Sequence, residues 1–441
     1  MKSATGRLSL MMFLQYAIWG AWLPILWPYL AGHKGFAPAQ IGQIFAVGAV
    51  GAVAAPFLAG QLADRRFSTE RVLAACHLAG AVLIWQLAAI DSHAGFLLFS
   101  LAYSLVYAPT LSLTNSLALH HLPDRDRDFG RVRLWGTLGW ICAGLAVGQW
   151  LLLLHTPLKV PPEVVAAAQA AGRADAFRLS AVLGALMGLY CLTLPATPPT
   201  REHGSGGRLA FARAARQATR RPLLVLFLVS IPMSCVHQFY FVHASGFLSA
   251  YQAGAEDLVL AVNAVLGVGG GGLMTIGQMT EVGVLAALPL LGRRLSRRTL
   301  LLIGLGAYAL RMALFAYVTE LPLPPIVTLV AGVALHGLCF GCFVFVAFLI
   351  VDEESTADVR ASAQSLYNLV LIGVGIIVGS LFAAAVAERA AGAGAVLDYA
   401  DPAQTRLLFG VPLWISLVCF AAVALFYRGG RGQPLSPASS C

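Results

Sequence analysis

Apolar residues in this chain come in long unbroken runs separated by short polar connections, and that pattern decides its class. A helix needs roughly 20 consecutive apolar residues to cross the hydrocarbon core of a bilayer. The runs are continuous rather than alternating, which argues against the strands of a membrane barrel. Backbone groups at membrane depth must pair inside their own segment or inside a closed barrel, so these runs predict helices. Length and flanking charge give about twelve spans, at 8–30, 39–62, 72–90, 95–119, 131–154 and 177–195, then 222–249, 269–291, 299–319, 325–351, 362–387 and 406–427. The first run is too long for a signal-peptide core and lacks a small-residue cleavage site, so it too predicts a membrane helix.

The polar stretches divide this series in the middle. Ala196 to Arg221 is rich in Pro, Gly and Arg, the composition of a polar linker. The expected organisation is therefore a six-helix half over 1–195, a cytoplasmic linker over 196–221, a second six-helix half over 222–428 and a flexible tail over 429–441. Between the fifth and sixth spans, Pro161-Pro162-Glu163 followed by an alanine run predicts a short surface helix starting near Pro162.

Composition agrees: 59% of residues are hydrophobic, 11% are charged, and the mean hydropathy is +0.77. A net charge of +9 would point to nucleic acid in a soluble protein. Here the basic residues crowd one set of connections, such as Arg65-Arg66, Arg125 to Arg133 and Arg293 to Arg298. The opposite set holds only Lys34, Lys159, Arg173, Arg178, Arg389 and Arg406. That bias places both termini and the linker in the cytoplasm and removes the need for a nucleic-acid partner. The eight cysteines lie mostly within apolar runs. Cys339 and Cys342 have C-x-x-C spacing, but no second pair or histidine cluster completes a zinc site, so they read as packing residues and no metal or cofactor is implied.

One apolar run carries chemistry. Within Gly271 to Val282, Gln278 and Glu281 stand three residues apart and project from one helix face. A carboxylate at that depth is costly to bury and marks a binding cavity or a proton relay. The alternative is a structural ion pair with Arg311 in the next run. His77, His237, His243 and His336 also lie in apolar runs, where a hydrogen-bonded packing role is the plain reading; His336 is the one placed opposite the predicted cavity. The glycine run Gly267 to Gly272 just ahead serves either as a hinge in a weak helix or as a close-packing surface. Pro109 and Pro232 predict kinks. Ser/His/Asp, H-E-x-x-H and P-loop patterns are not evident, so an enzyme, a sensor or an ATP-driven pump is disfavoured against a gradient-driven transporter.

The halves echo one another. Gly60-Gln61-Leu62-Ala63-Asp64-Arg65-Arg66 after the second span corresponds to Leu291-Gly292-Arg293-Arg294-Leu295 after the eighth, and Gln15 of the first span corresponds to Gln238 of the seventh. Two such halves with a binding site between them is a common transporter plan. The stretch Gly60 to Arg66 resembles the cytoplasmic gate signature of the major facilitator superfamily, with Gly60, Asp64 and Arg65 as its gate residues. Phe13-Leu14-Gln15-Tyr16, Trp19 to Leu23, Arg133-Leu134-Trp135-Gly136-Thr137, Gln278-Met279-Thr280-Glu281, Arg311 to Tyr317 and Arg360 to Gln364 then follow in order. As an ordered set they are similar to the nucleoside:proton symporters of that superfamily.

The resemblance implies an all-α major facilitator fold of about twelve transmembrane helices in two six-helix halves. It implies a monomer in the plasma (inner) membrane that imports nucleosides with protons by alternating access. The residues it places around the nucleoside are Arg133, Thr137, Trp140, Gln238, Phe241, Gln278, Glu281, His336 and Phe340. Where well-known members carry phenylalanine, asparagine, tyrosine and aspartate, this chain has Trp140, Phe241, His336 and Gly341. The missing aspartate is a coupling candidate in those members, which leaves Glu281 and His336 as the coupling candidates here.

The chemistry of these residues suits a nucleoside. Ionised Glu281 can accept from two hydroxyls, and Gln278 and Gln238 can both donate and accept. Trp140, Phe241 and Phe340 offer ring faces for a base, and Arg133 offers a fork of donors for a base carbonyl. A sugar or glycoside would use the same Gln/Glu set and is the alternative solute.

Overall fold

The computed structural model describes residues 2–62, 67–198, 207–356, 359–392 and 395–428. Helices dominate, in the order the apolar runs predict. The first stretch contains α1 (Lys2–Trp22), α2 (Leu26–Gly32), α3 (Pro38–Leu62), α4 (Thr69–Leu87), α5 (His93–His121) and α6 (Arg125–Leu154). Then come α7 (Pro162–Gly172), α8 (Ala174–Cys191), α9 (Gly207–Ala218), α10 (Leu223–Tyr251) and α11 (Asp257–Leu266). The remainder comprises α12 (Gly271–Arg294), α13 (Arg297–Ala316), α14 (Pro325–Ala334), α15 (His336–Leu338), α16 (Val346–Glu354), α17 (Arg360–Asn368), α18 (Gly375–Ala391) and α19 (Pro402–Phe426). Among the described residues, 11 helical stretches are long and apolar enough to cross a membrane. The 25-residue α3 coincides with the second predicted run.

Local sequence explains the breaks. The surface helix expected near Pro162 is α7, which has proline at its first turn and meets α8 at Arg173. The tenth predicted run is not one regular helix. It breaks at Leu335 between α14 and α15, then passes through a π-helix over Cys339–Phe345 before α16. A second π-helix, Leu369–Val374, separates α17 from α18. The glycine run is also irregular, contrary to the expected weak helix. Gly267, Gly269 and Gly270 have φ of 71°, 84° and 81°, a left-handed backbone that glycine alone adopts freely, so this run forms the connection from α11 to α12. Pro109 and Pro232 lie inside α5 and α10, which continue through them.

The chain groups into two compact units. One comprises Met1–His203, Phe241–Thr275 and Gly392–Val396. In it α1 packs on α6 and α8, α3 on α5, and α4 on α5 and α8. Its interior is sealed around Gln15, whose Nε2 donates to Thr110 Oγ1 at 2.8 Å and whose Oε1 lies 2.9 Å from His77 Nε2. Tyr107 completes the set by donating its hydroxyl to the Gln15 carbonyl. Polar groups buried this way are tolerated because each meets a partner. The α2–α3 and α4–α5 connections are tied by Lys34 and Asp91, 2.5 Å apart. That hydrogen bond and charge hold the Asp91 carboxyl below its usual range.

The other unit comprises Gly204–Tyr240, Ile276–Ala391 and Leu397–Cys441. In it α13 packs on α19 and on the Cys339–Phe345 π-helix, α9 on α17, and α18 on α19. Cys339 and Cys342 are both buried in that π-helix, in line with a packing role.

Candidate functional site

In the second unit the candidate residues converge because two segments cross at glycines. Gly277 of α12 faces the His336 Cβ, and a side-chain carbon placed there would come within 3.0 Å of it. Reciprocally, a carbon on Gly337 would come within 2.7 Å of the Glu281 backbone nitrogen. The Gly337 N–H donates to Thr280 Oγ1 at 3.3 Å, using a donor that the helix break beside it has freed. This approach sets His336 Nε2 3.6 Å from Glu281 Oε2. The distance is longer than a hydrogen bond but within ion-pair reach.

Around this pair lies a shell of aromatic and basic groups. Arg311 of α13 is fully buried and donates from Nη1 to His336 Nδ1 at 3.2 Å. Its guanidinium lies 4.3 Å over the Tyr240 ring and 5.0 Å over the Tyr308 ring, so π faces meet much of its charge. Tyr240 stacks on His336 with ring centroids 4.9 Å apart, and His237 stacks at 5.7 Å. His237 Nδ1 is in turn 2.6 Å from the Tyr308 hydroxyl. Phe340, four residues beyond His336, lies 6.4 Å from its ring at 25°.

The amides have distinct roles. Gln238 is buried on α10 and donates from Nε2 to Ser380 Oγ at 3.0 Å, where α18 approaches closely through Gly379. Gln278 is also buried, one turn before Glu281, and its Oε1 has no hydrogen-bond donor among the described residues. Glu281 keeps 17% of its side chain exposed. Gln278 and Glu281 thus form a pair of acceptors on one face of α12.

Gly341 accounts for its own departure from the family pattern. A side chain begun there would place its first carbon 2.6 Å from Val284 Cγ1. The space beside it is taken by valine, so nothing at this position stands in for the aspartate.

The remaining candidates belong to the first unit. Arg133, Thr137 and Trp140 of α6 lie four and three residues apart, so they share one stripe, and all three are half-buried. The Arg133 guanidinium stacks 4.0 Å over the Tyr16 ring of α1. Trp140 meets Trp19 edge-on at 5.6 Å. Glycines permit this closeness: a side-chain carbon on Gly136 would lie 2.6 Å from the Tyr16 ring. Phe241 is half-buried on α10. Of the gate motif, Gly60 falls within α3, whereas Asp64 and Arg65 lie outside the described residues.

Sequence reasoning did not single out Tyr240 and Tyr308. The available signal was spacing: Tyr240 follows His237 by three residues and Tyr308 precedes Arg311 by three, which puts each pair on one face. Among the described residues no group of three or more His, Cys, Asp or Glu side chains is arranged to hold a metal ion.

Comparison with known proteins points the same way. Residues 1–430 match the family described as nucleoside H+ symporter. The chain is similar to the putative nucleoside transporter YegT of Escherichia coli (strain K12), 33% identical over 422 residues that cover 96% of this chain and 91% of that one. It is also similar to the nucleoside permease NupG of the same organism, 27% identical over 392 residues and 87% of each chain. The crystal structure of an aspartate-to-alanine mutant of NupG superposes with a TM-score of 0.81 at 26% identity, covering 96% of this chain and 100% of that one.

Proposed function

The chain belongs to the nucleoside H+ symporter family, is a membrane transporter that brings nucleosides in together with protons, and, we propose, binds its solute at Glu281 and Gln278. The fold is that of the major facilitator superfamily, and no enzymatic step is involved. One observation carries the assignment of the site. Two acceptors stand one turn apart on α12, one without an internal donor and the other partly open. A solute rich in hydroxyls supplies the donors they call for. Within the second unit, Gln238, His336 and Phe340 are further proposed solute-binding residues; within the first unit, Arg133, Thr137, Trp140 and Phe241 are proposed for the same role. Glu281 and His336 are the two candidates for the proton-coupling role.

This proposal extends to organisation. Residues 1–195 and 222–428 form the two six-helix halves, joined by the linker 196–221 and followed by the tail 429–441. The proposal includes a monomer in the plasma (inner) membrane, in contact with lipid along its outer helices; the bias of basic residues supports placing both termini in the cytoplasm.

The decisive experiment is uptake of labelled uridine or adenosine into proteoliposomes with and without an imposed pH gradient. Glu281→Gln is expected to abolish accumulation against a gradient while counterflow exchange survives. Gradient-driven accumulation equal to that of the parent would remove Glu281 from coupling. Competition by unlabelled sugars as effective as that by nucleosides would point to the polyhydroxylated alternative.

A further inference from the structure

Two groups were left sharing the coupling role, and the geometry between them separates their parts. We propose that Arg311 holds His336 as a fixed hydrogen-bond donor, so that Glu281 alone carries the transported proton. This inference rests on the site proposed above and assigns the roles within it.

Arginine has donors and no acceptor, so the contact from Arg311 Nη1 at 3.2 Å requires His336 Nδ1 to be the accepting nitrogen. The ring hydrogen then sits on Nε2, which is the atom facing Glu281 Oε2 at 3.6 Å. A second proton on His336 would have to enter at Nδ1, where the lone pair is already engaged. It would also set a cation directly against a buried guanidinium. Coulomb repulsion at that separation is severe away from water. Arg311 has nowhere to withdraw. It is fully buried between the Tyr240 and Tyr308 rings, and its Nε and Nη2 find no hydrogen-bond partner among the described residues. The other titratable groups around His336 do not relieve this. Tyr240 and His237 of α10 present ring faces, Tyr308 of α13 is engaged with His237, and Cys339 follows on the same segment.

Glu281 has the opposite surroundings. Part of its side chain is open, and a donor already points towards it. The proton cycle then balances on one atom set. A proton from one side of the membrane adds to a Glu281 carboxylate oxygen, travels as the carboxylic acid, and leaves from the same oxygen on the other side. The hydrogens of His336 and Arg311 are unchanged throughout. Arg311 is a positioning residue, and His336 aligns the carboxyl group that titrates.

The test measures protons and nucleoside together in proteoliposomes of the full chain, using a trapped pH-sensitive dye and labelled uridine. In His336→Asn and His336→Gln, uptake is expected to fall severalfold, while the number of protons moved per nucleoside stays at the parent value. In Glu281→Gln that number is expected to drop to zero. Loss of proton movement in the His336 variants, with exchange retained, would overturn the inference and leave Glu281's binding role standing. Retention of the parent ratio in Glu281→Gln would overturn the site reading itself. Where a His336 variant fails to fold, nitrogen NMR of the parent decides the matter. The imidazole in through-space contact with an arginine side chain should carry a single ring proton from about pH 5 to 8, the range in which an ordinary histidine titrates. A second proton appearing there would overturn the proposal.

Discussion

At the scale of the single residue, the proposed roles of Phe340 and Trp140 are to distinguish a nucleoside from other hydroxylated solutes. Glu281 and Gln278, as proposed, accept from hydroxyl donors, and a ribose and a hexose both offer them. An aromatic face distinguishes a planar base from a sugar, and stacking of a base on such a face contributes about 1–3 kcal/mol. Phe340→Ala and Trp140→Ala should each weaken nucleoside binding by roughly 5- to 140-fold, since 1.4 kcal/mol is a factor of ten, and should leave sugar competition almost unmoved. Binding isotherms for uridine and for a hexose on the purified protein check this, and equal losses for both solutes would remove base stacking from the site. The spacing of Gln278 and Glu281 was legible in the sequence because contacts within one helix turn follow from periodicity alone. The seat of Arg311 was not. Its partner His336 lies 25 positions away, and only the packing of separate helices brings the two together.

At the scale of the element, the site depends on α12 and the Gly337 segment approaching without side chains between them. Adding one methyl group at Gly337 would push on the Thr280–Glu281 backbone and shift the carboxylate relative to His336. Gly337→Ala should therefore lower nucleoside affinity tenfold or more and reduce thermal stability, because overpacking a tight contact costs about 1–3 kcal/mol. Gly283, on the same helix α12, has nothing within 4 Å of an added carbon. Gly283→Ala should change stability by no more than about 1 kcal/mol, in the favourable direction if helix propensity decides. Thermal unfolding of both variants in detergent, alongside binding, distinguishes a crossing that needs glycine from a helix that merely contains it. The apolar runs gave the spans to within a few residues, since length and hydrophobicity are properties of each run alone. They did not give the break at Leu335, the two π-helices or the left-handed connection Gly267 to Gly270. Those features answer to neighbouring helices and to backbone conformation, neither of which a hydropathy pattern encodes.

At the scale of the whole molecule, coupling becomes a number. Belonging to a symporter family says that protons move with the nucleoside, and the coupling role proposed for Glu281 sets how many to expect. One titrating carboxylate per transport cycle allows one proton per nucleoside. With the membrane potential clamped at zero, a pH difference of one unit supplies about 1.4 kcal/mol per proton, equivalent to a tenfold concentration ratio. Proteoliposomes of this protein should therefore accumulate uridine to a limit of about tenfold per pH unit, and Glu281→Gln should equilibrate it at a ratio of one. Adding a potential, negative inside, should raise the limit further, because a neutral nucleoside travelling with one proton carries one charge, worth about 2.3 kcal/mol per 100 mV. A limit near one hundredfold per pH unit would require a second proton. Were that proton carried on His336, Arg311 would have to leave the imidazole at some point in each cycle. The accumulation limit thus tests from outside the membrane the arrangement of three side chains within it.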